Sequence, residues 1–326
     1  MMTKAISPID DAGASRPYAA DEQRIPASRS GRVAGLFWTS LTVAIFAGWF
    51  VVTRFSVTRQ LTIWDLTVLR FGIGAVLLSP AVLRRGTRPS LATWRKGLLF
   101  MALWGVPFVL LMALGVRLTS AVQAASITPP LMPVFAGLFA TIFLGERLGR
   151  LRPFGYAAIV AGIALLVYSG TPGGAHPNLI GLGALAAAAA LWAAYTLIFR
   201  MSGVTPLQSA AMICVWSTAF ALPIYLVSGV SHFHLASVQE IAFQAFYQGV
   251  LMSAVALVTY SRGVSLLGTS AAAAVIAFLP AVASLLAIPV LGEVPGAFEV
   301  LAIAVIVGGA LIAARPVPVA TNTATR

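Results

Sequence analysis

Residues 133–162 read PVFAGLFATIFLGERLGRLRPFGYAAIVAG, and residues 280–309 read PAVASLLAIPVLGEVPGAFEVLAIAVIVGG. The second stretch lies 147 positions after the first, and twelve of the thirty positions are identical. About three matches are expected by chance in a chain this rich in Ala and Leu, so this is an internal repeat. Leu144-Gly145-Glu146 returns as Leu291-Gly292-Glu293, and Pro133 returns as Pro280. A second pairing, offset by 143, sets Trp49 and Thr53 on Trp192 and Thr196. The fold then turns on how many apolar runs each copy contains.

The chain has 326 residues, of which 59% are hydrophobic and 9% charged. A soluble domain has about 25% charged and 45–50% apolar residues. A soluble globular protein and a disordered chain are both excluded. Apolar runs near 20 residues, the length that crosses a bilayer as a helix, cover 34–53, 62–82, 97–115, 119–143, 154–170, 179–199, 207–228, 243–264, 269–291 and 297–314. Barrel strands are shorter and alternate, which these do not. The expectation is an all-α integral membrane protein with ten transmembrane helices, five per copy. An odd number makes the second copy enter from the opposite side, so the two five-helix repeats are inverted. Inverted repeats are the architecture of secondary transporters, with the substrate site near the midplane between the halves. The expected organisation is a flexible tail 1–33, repeats over 34–171 and 178–315, and a tail 316–326.

The net charge of +12 comes from few acids, 9, rather than from many bases, 21. With the N-terminus cytoplasmic, 17 Lys and Arg fall in cytoplasmic segments and 3, Arg54, Arg59 and Arg117, in outer ones. This bias puts both termini in the cytoplasm. The charge therefore reads as membrane topology and not as a nucleic-acid surface. Residues 1–33 lack the apolar core and cleavage site of a signal peptide. The single cysteine, Cys214, excludes an internal disulfide and a cysteine-rich metal site.

Several motifs recur in order along the chain. They are Ala47-Gly48-Trp49-Phe50-Val51-Val52-Thr53-Arg54, Leu69-Arg70-Phe71, Pro133-Val134-Phe135 and Leu144-Gly145-Glu146-Arg147-Leu148, then Leu191-Trp192-Ala193-Ala194-Tyr195, Leu279-Pro280 and Leu291-Gly292-Glu293. From about 34 to 315 this order resembles the EamA-type branch of the drug/metabolite transporter superfamily. The resemblance implies export or import of small metabolites, often amino acids or related compounds, without ATP hydrolysis. Two departures stand out: Arg70 has no basic counterpart in the second copy, where Trp216 lies, and Thr119 to Pro133 is three residues longer than Thr269 to Pro280.

Trp49 and Trp192 sit deep in corresponding runs, where an indole N–H needs a partner or a cavity. With Thr53, Trp104, Tyr195 and Tyr260 they are candidates to line a central substrate pocket; helix packing is the alternative. Pro133 and Pro280 match between the halves and read as kinks beside the cavity or as parts of a gate. Arg70 lies inside the second run, where a charge must face the interior and find a partner. It binds a substrate carboxylate or ties to backbone carbonyls; Asp65, five residues back, is on the wrong face. Glu146 and Glu293 end the fourth and ninth runs, as structural ends (Glu146 with Arg150) or as gate or proton-coupling groups. Ala158 with Gly162, and Ala304 with Gly308, suit close helix packing.

Enzyme readings fail for want of paired carboxylates or a base beside a nucleophile. His176, His232 and His234 all fall in loops. Gly181-Leu182-Gly183 follows no strand and is not a dinucleotide fingerprint. No Walker loop and no cofactor or metal motif is found. The expectation is a multi-pass carrier of the bacterial inner membrane, most in line with export of amino acids or related compounds. Its partners are a small-molecule substrate and the lipid bilayer, not nucleic acid. One chain holds both halves, so a monomer suffices. Rivals are an uptake carrier for a vitamin, nucleoside or sugar, and a lipid-translocating or structural membrane protein.

Overall fold

The structure, a computed structural model, describes residues 29–84, 88–146, 148–168 and 178–315. Most of both expected tails, the segment 169–177, and the side chains of Arg85, Arg147 and His176 lie outside them. The described residues are helical and contain no strand.

The first half holds α1 (Arg29–Val57), α2 (Ile63–Leu78), the short α3 (Pro80–Leu83), α4 (Leu91–Trp104), α5 (Val106–Leu118), α6 (Ala121–Leu144) and α7 (Arg152–Tyr168). The second holds α8 (Leu179–Arg200), α9 (Pro206–Ser228), α10 (Val238–Gln244), a π-helical stretch (Ala245–Val255), α11 (Ala256–Leu267), α12 (Thr269–Ile276), α13 (Leu279–Leu291) and α14 (Ala297–Ala313). Counting contiguous rods, seven among the described residues are long and apolar enough to cross a membrane. Helices α7 and α14 are shorter apolar helices of 17 residues each. Helix α2 stops after 16 residues.

Local chemistry sets the ends. Thr62 caps α2 with Asp65 in a reciprocal capping box, and Thr205 does the same for α9 with Gln208. Both Leu-Gly-Glu motifs end a helix at a left-handed glycine, Gly145 at φ 66° and Gly292 at φ 70°. Glycine tolerates that conformation without strain, so the motif is a helix stop.

The packing respects the repeat. Helix α7 lies along α14; α1 packs on α11 and α13 as α8 packs on α5 and α6. Exchanging the halves leaves this pattern intact. At the α7–α14 crossing, a Cβ on Gly162 would lie 3.0 Å from Ala302 O, and one on Gly309 would lie 2.8 Å from Gly155 O. These two contacts are each other's image at the offset of 147. The expected contact at Gly308 is displaced by one residue, since a Cβ there meets nothing within 4 Å.

Three spans expected as single helices are interrupted. Gly105 separates α4 from α5, and a Cβ there would lie 2.5 Å from Ser217 Oγ. Ser79–Pro80 separates α2 from α3. A turn at Ala277–Phe278 separates α12 from α13, and Pro280 occupies the first turn of α13. The matched prolines are therefore unequal. Pro133 stands with Pro129 and Pro130 inside a continuous α6, where each displaces a backbone hydrogen bond. Pro280 sits where no such bond is owed, so it marks a helix start and not a kink.

Candidate functional site

Trp49 on α1 is buried, and its Nε1 donates to Gln248 Oε1 at 2.7 Å. Gln248 Nε2 donates to Thr53 Oγ1 at 3.2 Å and to Gln244 Oε1 at 3.3 Å. Gln244 Nε2 donates to Ser56 Oγ at 2.7 Å, and Ser56 Oγ donates to Glu240 Oε1 at 3.0 Å. A polar ladder thus runs up one side of α1, facing α10 and the π-helical stretch. Each rung satisfies a group that would be costly to bury alone.

Arg70 on α2 extends over this cluster. Its guanidinium carbon is 5.6 Å from the Trp49 ring centroid and 5.8 Å from that of Phe71. The residue is 9% exposed. Its backbone carbonyl accepts from Ser253 Oγ of the π-helical stretch at 3.1 Å. Among the described residues its side chain makes no hydrogen bond or ion pair, so the tie to backbone carbonyls is not made. Asp65 is buried and engaged elsewhere. It accepts from Thr62 N at 2.7 Å, Thr62 Oγ1 at 2.8 Å and Tyr225 Oη at 2.5 Å. Arg70 is thus a buried cation whose stabilisation comes from ring faces and not from an anion.

The second cluster is aromatic. The Trp104 ring stacks on Tyr195 at 4.8 Å and on Trp192 at 6.2 Å, with Phe108 against both indoles. Tyr195 Oη and Ser209 Oγ share a hydrogen bond at 2.9 Å. Trp104 Nε1 is buried without a partner, and so is Ser217 Oγ, which lies against Gly105. Ser217 is one helical turn from Cys214 on α9, whose Sγ lies against Gly74 of α2.

Two cavities lie away from these clusters. One cavity of about 600 Å³ lies against Arg29, Val33 and Trp38. A small one lies against Ser120, Glu293 and Glu299. Tyr260 is 43% exposed, with no ring contact or hydrogen bond to either cluster.

The two glutamates are at opposite ends of the bundle. Glu293 pairs with Arg54 at 3.3 Å and accepts from Ala121 N at 3.1 Å. Arg54 Nη1 also donates to Val116 O at 2.8 Å and to Arg117 O at 2.6 Å. Burial pushes the Glu293 carboxyl above its ordinary range, and the Arg54 charge pulls it partly back. Glu146 pairs with Arg200 rather than with Arg150, and both side chains are about half exposed.

Sequence reading missed Gln244, Gln248 and Ser217. Two glutamines one turn apart in an otherwise apolar run were the available signal.

A family model described as the EamA-like transporter family matches twice, over residues 33–168 and 179–315. The chain belongs to the EamA-like transporter family. The EamA-like matches fall on the two halves that the packing exchanges. A relative from Streptantibioticus cattleyicolor, named a probable terminal-alkyne amino-acid exporter, is 32% identical over 192 residues. That match spans 57% of this chain and 60% of the relative. A solved crystal structure shares the fold with a TM-score of 0.59 at 23% identity, over 88% of this chain and 97% of that one. This EamA-like chain is thus a member of a transporter family with an all-helical, internally repeated fold.

Proposed function

We propose that this protein is a secondary carrier of the bacterial inner membrane that exports amino acids or related compounds by alternating access. Its ten membrane-spanning helices form two inverted five-helix repeats with both termini cytoplasmic. The exchange of packing partners between halves supports the inversion, and the Lys and Arg distribution supports the orientation.

The observation that carries the substrate reading is Arg70: a buried cation, over Trp49, with no anion from the described protein. A substrate carboxylate would complete it. Trp49, Thr53, Trp104, Trp192 and Tyr195 are the residues proposed to line the substrate route with it, and Tyr260, 43% exposed, is left out. The Arg54–Glu293 pair closes the outer end, with carbonyls and an amide reinforcing it. The exposed Glu146–Arg200 pair is the corresponding closure at the cytoplasmic end. Export as the direction rests on the relative's name. The driving gradient is that of substrate, proton or ion.

The test is counterflow of labelled amino acids in proteoliposomes, with and without a pH gradient. Accelerated exchange of any of them supports a carrier, and a gradient effect assigns coupling to protons. No exchange of any solute by folded protein contradicts the reading.

A further inference from the structure

The two ends of the bundle are held together unequally. Each Leu-Gly-Glu glutamate pairs with a base near the end of the first helix of the other half, Glu293 with Arg54 of α1 and Glu146 with Arg200 of α8. The pairs are counterparts across the repeat, but they sit at different depths. Arg200 is the last residue of α8, whereas Arg54 stands three residues inside the end of α1 at Val57. That extra turn shelters the pair. The Arg54 and Glu293 side chains are 22% and 17% exposed, against 56% and 49% for Arg200 and Glu146. Arg54 also reaches the carbonyls of Val116 and Arg117, and Glu293 reaches the amide of Ala121.

The end that holds Glu293 carries further sheltered charge. Asp65 of α2 is fully buried and accepts from Tyr225 Oη of α9 at 2.5 Å and from His232 N at 3.3 Å. Glu240 of α10 accepts from Ser56 Oγ of α1 at 3.0 Å. Four of the five described acids, Asp65, Glu240, Glu293 and Glu299, lie at this end. Three of the four, all but Glu299, tie the first half to the second. At the opposite end the charged ties are Glu146 with Arg200, and Lys96 Nζ donating to Ser202 O at 3.1 Å, and both are exposed. Neutral bonds complete that end, Trp216 Nε1 to Trp94 O at 3.1 Å among them.

From this asymmetry we infer that the empty carrier opens preferentially toward the cytoplasm and takes its cargo from that side. The inference deepens the carrier reading and rests on it, orientation included. A sheltered hydrogen bond to a charged group contributes more than an ion pair held in water. Parting the halves at the outer end breaks three such sheltered ties, through Glu293, Asp65 and Glu240. Parting them at the cytoplasmic end breaks charged ties that water already screens. Of two open states in equilibrium, the one that costs less to reach is the more populated. A cargo arriving at the less populated face binds with an affinity reduced by that fraction. The two faces of the membrane therefore differ in the concentration that half-saturates transport, and the residues that set the difference lie at the outer end.

Exchange is measured on both faces, in right-side-out and inside-out membrane vesicles that contain the full-length protein, with vesicles lacking it as background. The probe is labelled phenylalanine, or the amino acid that exchanges fastest in the counterflow above where that is another. Half-saturation should come at a concentration about tenfold lower from the cytoplasmic face than from the outer face. Glu293→Gln keeps the side-chain shape and removes the charge, and should narrow that ratio by roughly threefold. The same change at its counterpart, Glu146→Gln, should not narrow it. Thermal melts report the fold, and the wild-type ratio stands alone if a variant does not fold. Equal half-saturation on the two faces, a lower value on the outer face, or equal shifts from the two glutamine variants overturns the inference and leaves the carrier reading intact. Absence of exchange on either face by folded protein overturns both.

Discussion

Trp49 and Trp192 occupy matching places in the two repeats, yet their surroundings differ in kind. Trp49 faces the amide of Gln248, while Trp192 faces the ring of Trp104. Trp104 lies in the third apolar run of its copy and Gln248 in the third run of the other. One repeat has placed a hydrogen-bonding amide where the other has placed an aromatic ring. The backbone relation survives, as the α7–α14 glycine contacts show, while the interior chemistry has diverged. Duplication fixes the helix packing and leaves the interior side chains free to diverge. Arg70 accordingly has no basic partner in the second half.

The comparison breaks most visibly at Trp192. Trp192→Ala should lower counterflow by roughly 30-fold or more, the effect of removing about 2 kcal/mol of ring contact from a binding site. Expression and melting behaviour should be retained. Wild-type rates would remove the aromatic stack from the proposed site.

A gentler pair of changes compares the two indole N–H groups. Trp49→Phe removes a donor whose partner Gln248 is buried, leaving an acceptor unpaired. A loss of about 1–3 kcal/mol is expected in denaturation. Trp104→Phe removes a donor that has no partner, so it loses ring contact alone and should cost less than Trp49→Phe. Equal losses at both positions would mean that the ladder contributes nothing specific.

The two ends give the third contrast. Glu293→Gln breaks a pair reinforced by Val116 O, Arg117 O and Ala121 N, and should raise basal leak and lower the melting temperature. The Glu293 carboxyl is raised above 4.5, so the folded protein takes up this proton at a higher pH than the unfolded chain does. Acidification through that range favours the folded form at this site while loosening the Arg54 pair. Leak at mildly acidic pH should therefore rise in the wild type and not in Glu293→Gln. A leak with the same pH profile in both would contradict this role. Glu146→Gln is the smallest effect, within about 0.5 kcal/mol, because its pair with Arg200 is exposed.

Much of this fold could be read before any coordinates. Helical class, the repeat and the helix stops follow from apolar run length and the Leu-Gly-Glu echo, which act locally. The breaks at Gly105 and Ala277–Phe278 could not be read, because they depend on what packs opposite: Ser217 crowds Gly105 from another helix. Pro280 follows the break at Ala277–Phe278 while Pro133 sits inside a continuous α6, a difference that their sequence match hides. Trp49, Thr53 and Arg70 were legible as a cluster only in part. Their organiser, Gln248, lies about 200 positions away, and nothing local tied it to α1. Helical spacing pairs Glu146 with Arg150, but the helix ends at Gly145, and Arg200 of α8 is in reach instead.

The central claim is that the two repeats cross the membrane in opposite senses. In a Cys214→Ser background, Val294→Cys and Leu151→Cys place single exposed thiols in the corresponding turns after α13 and α6. A membrane-impermeant maleimide applied to intact cells should label Val294→Cys, and should label Leu151→Cys only after the membrane is permeabilised. Labelling of both from the same side would contradict the inverted repeat and the carrier built on it.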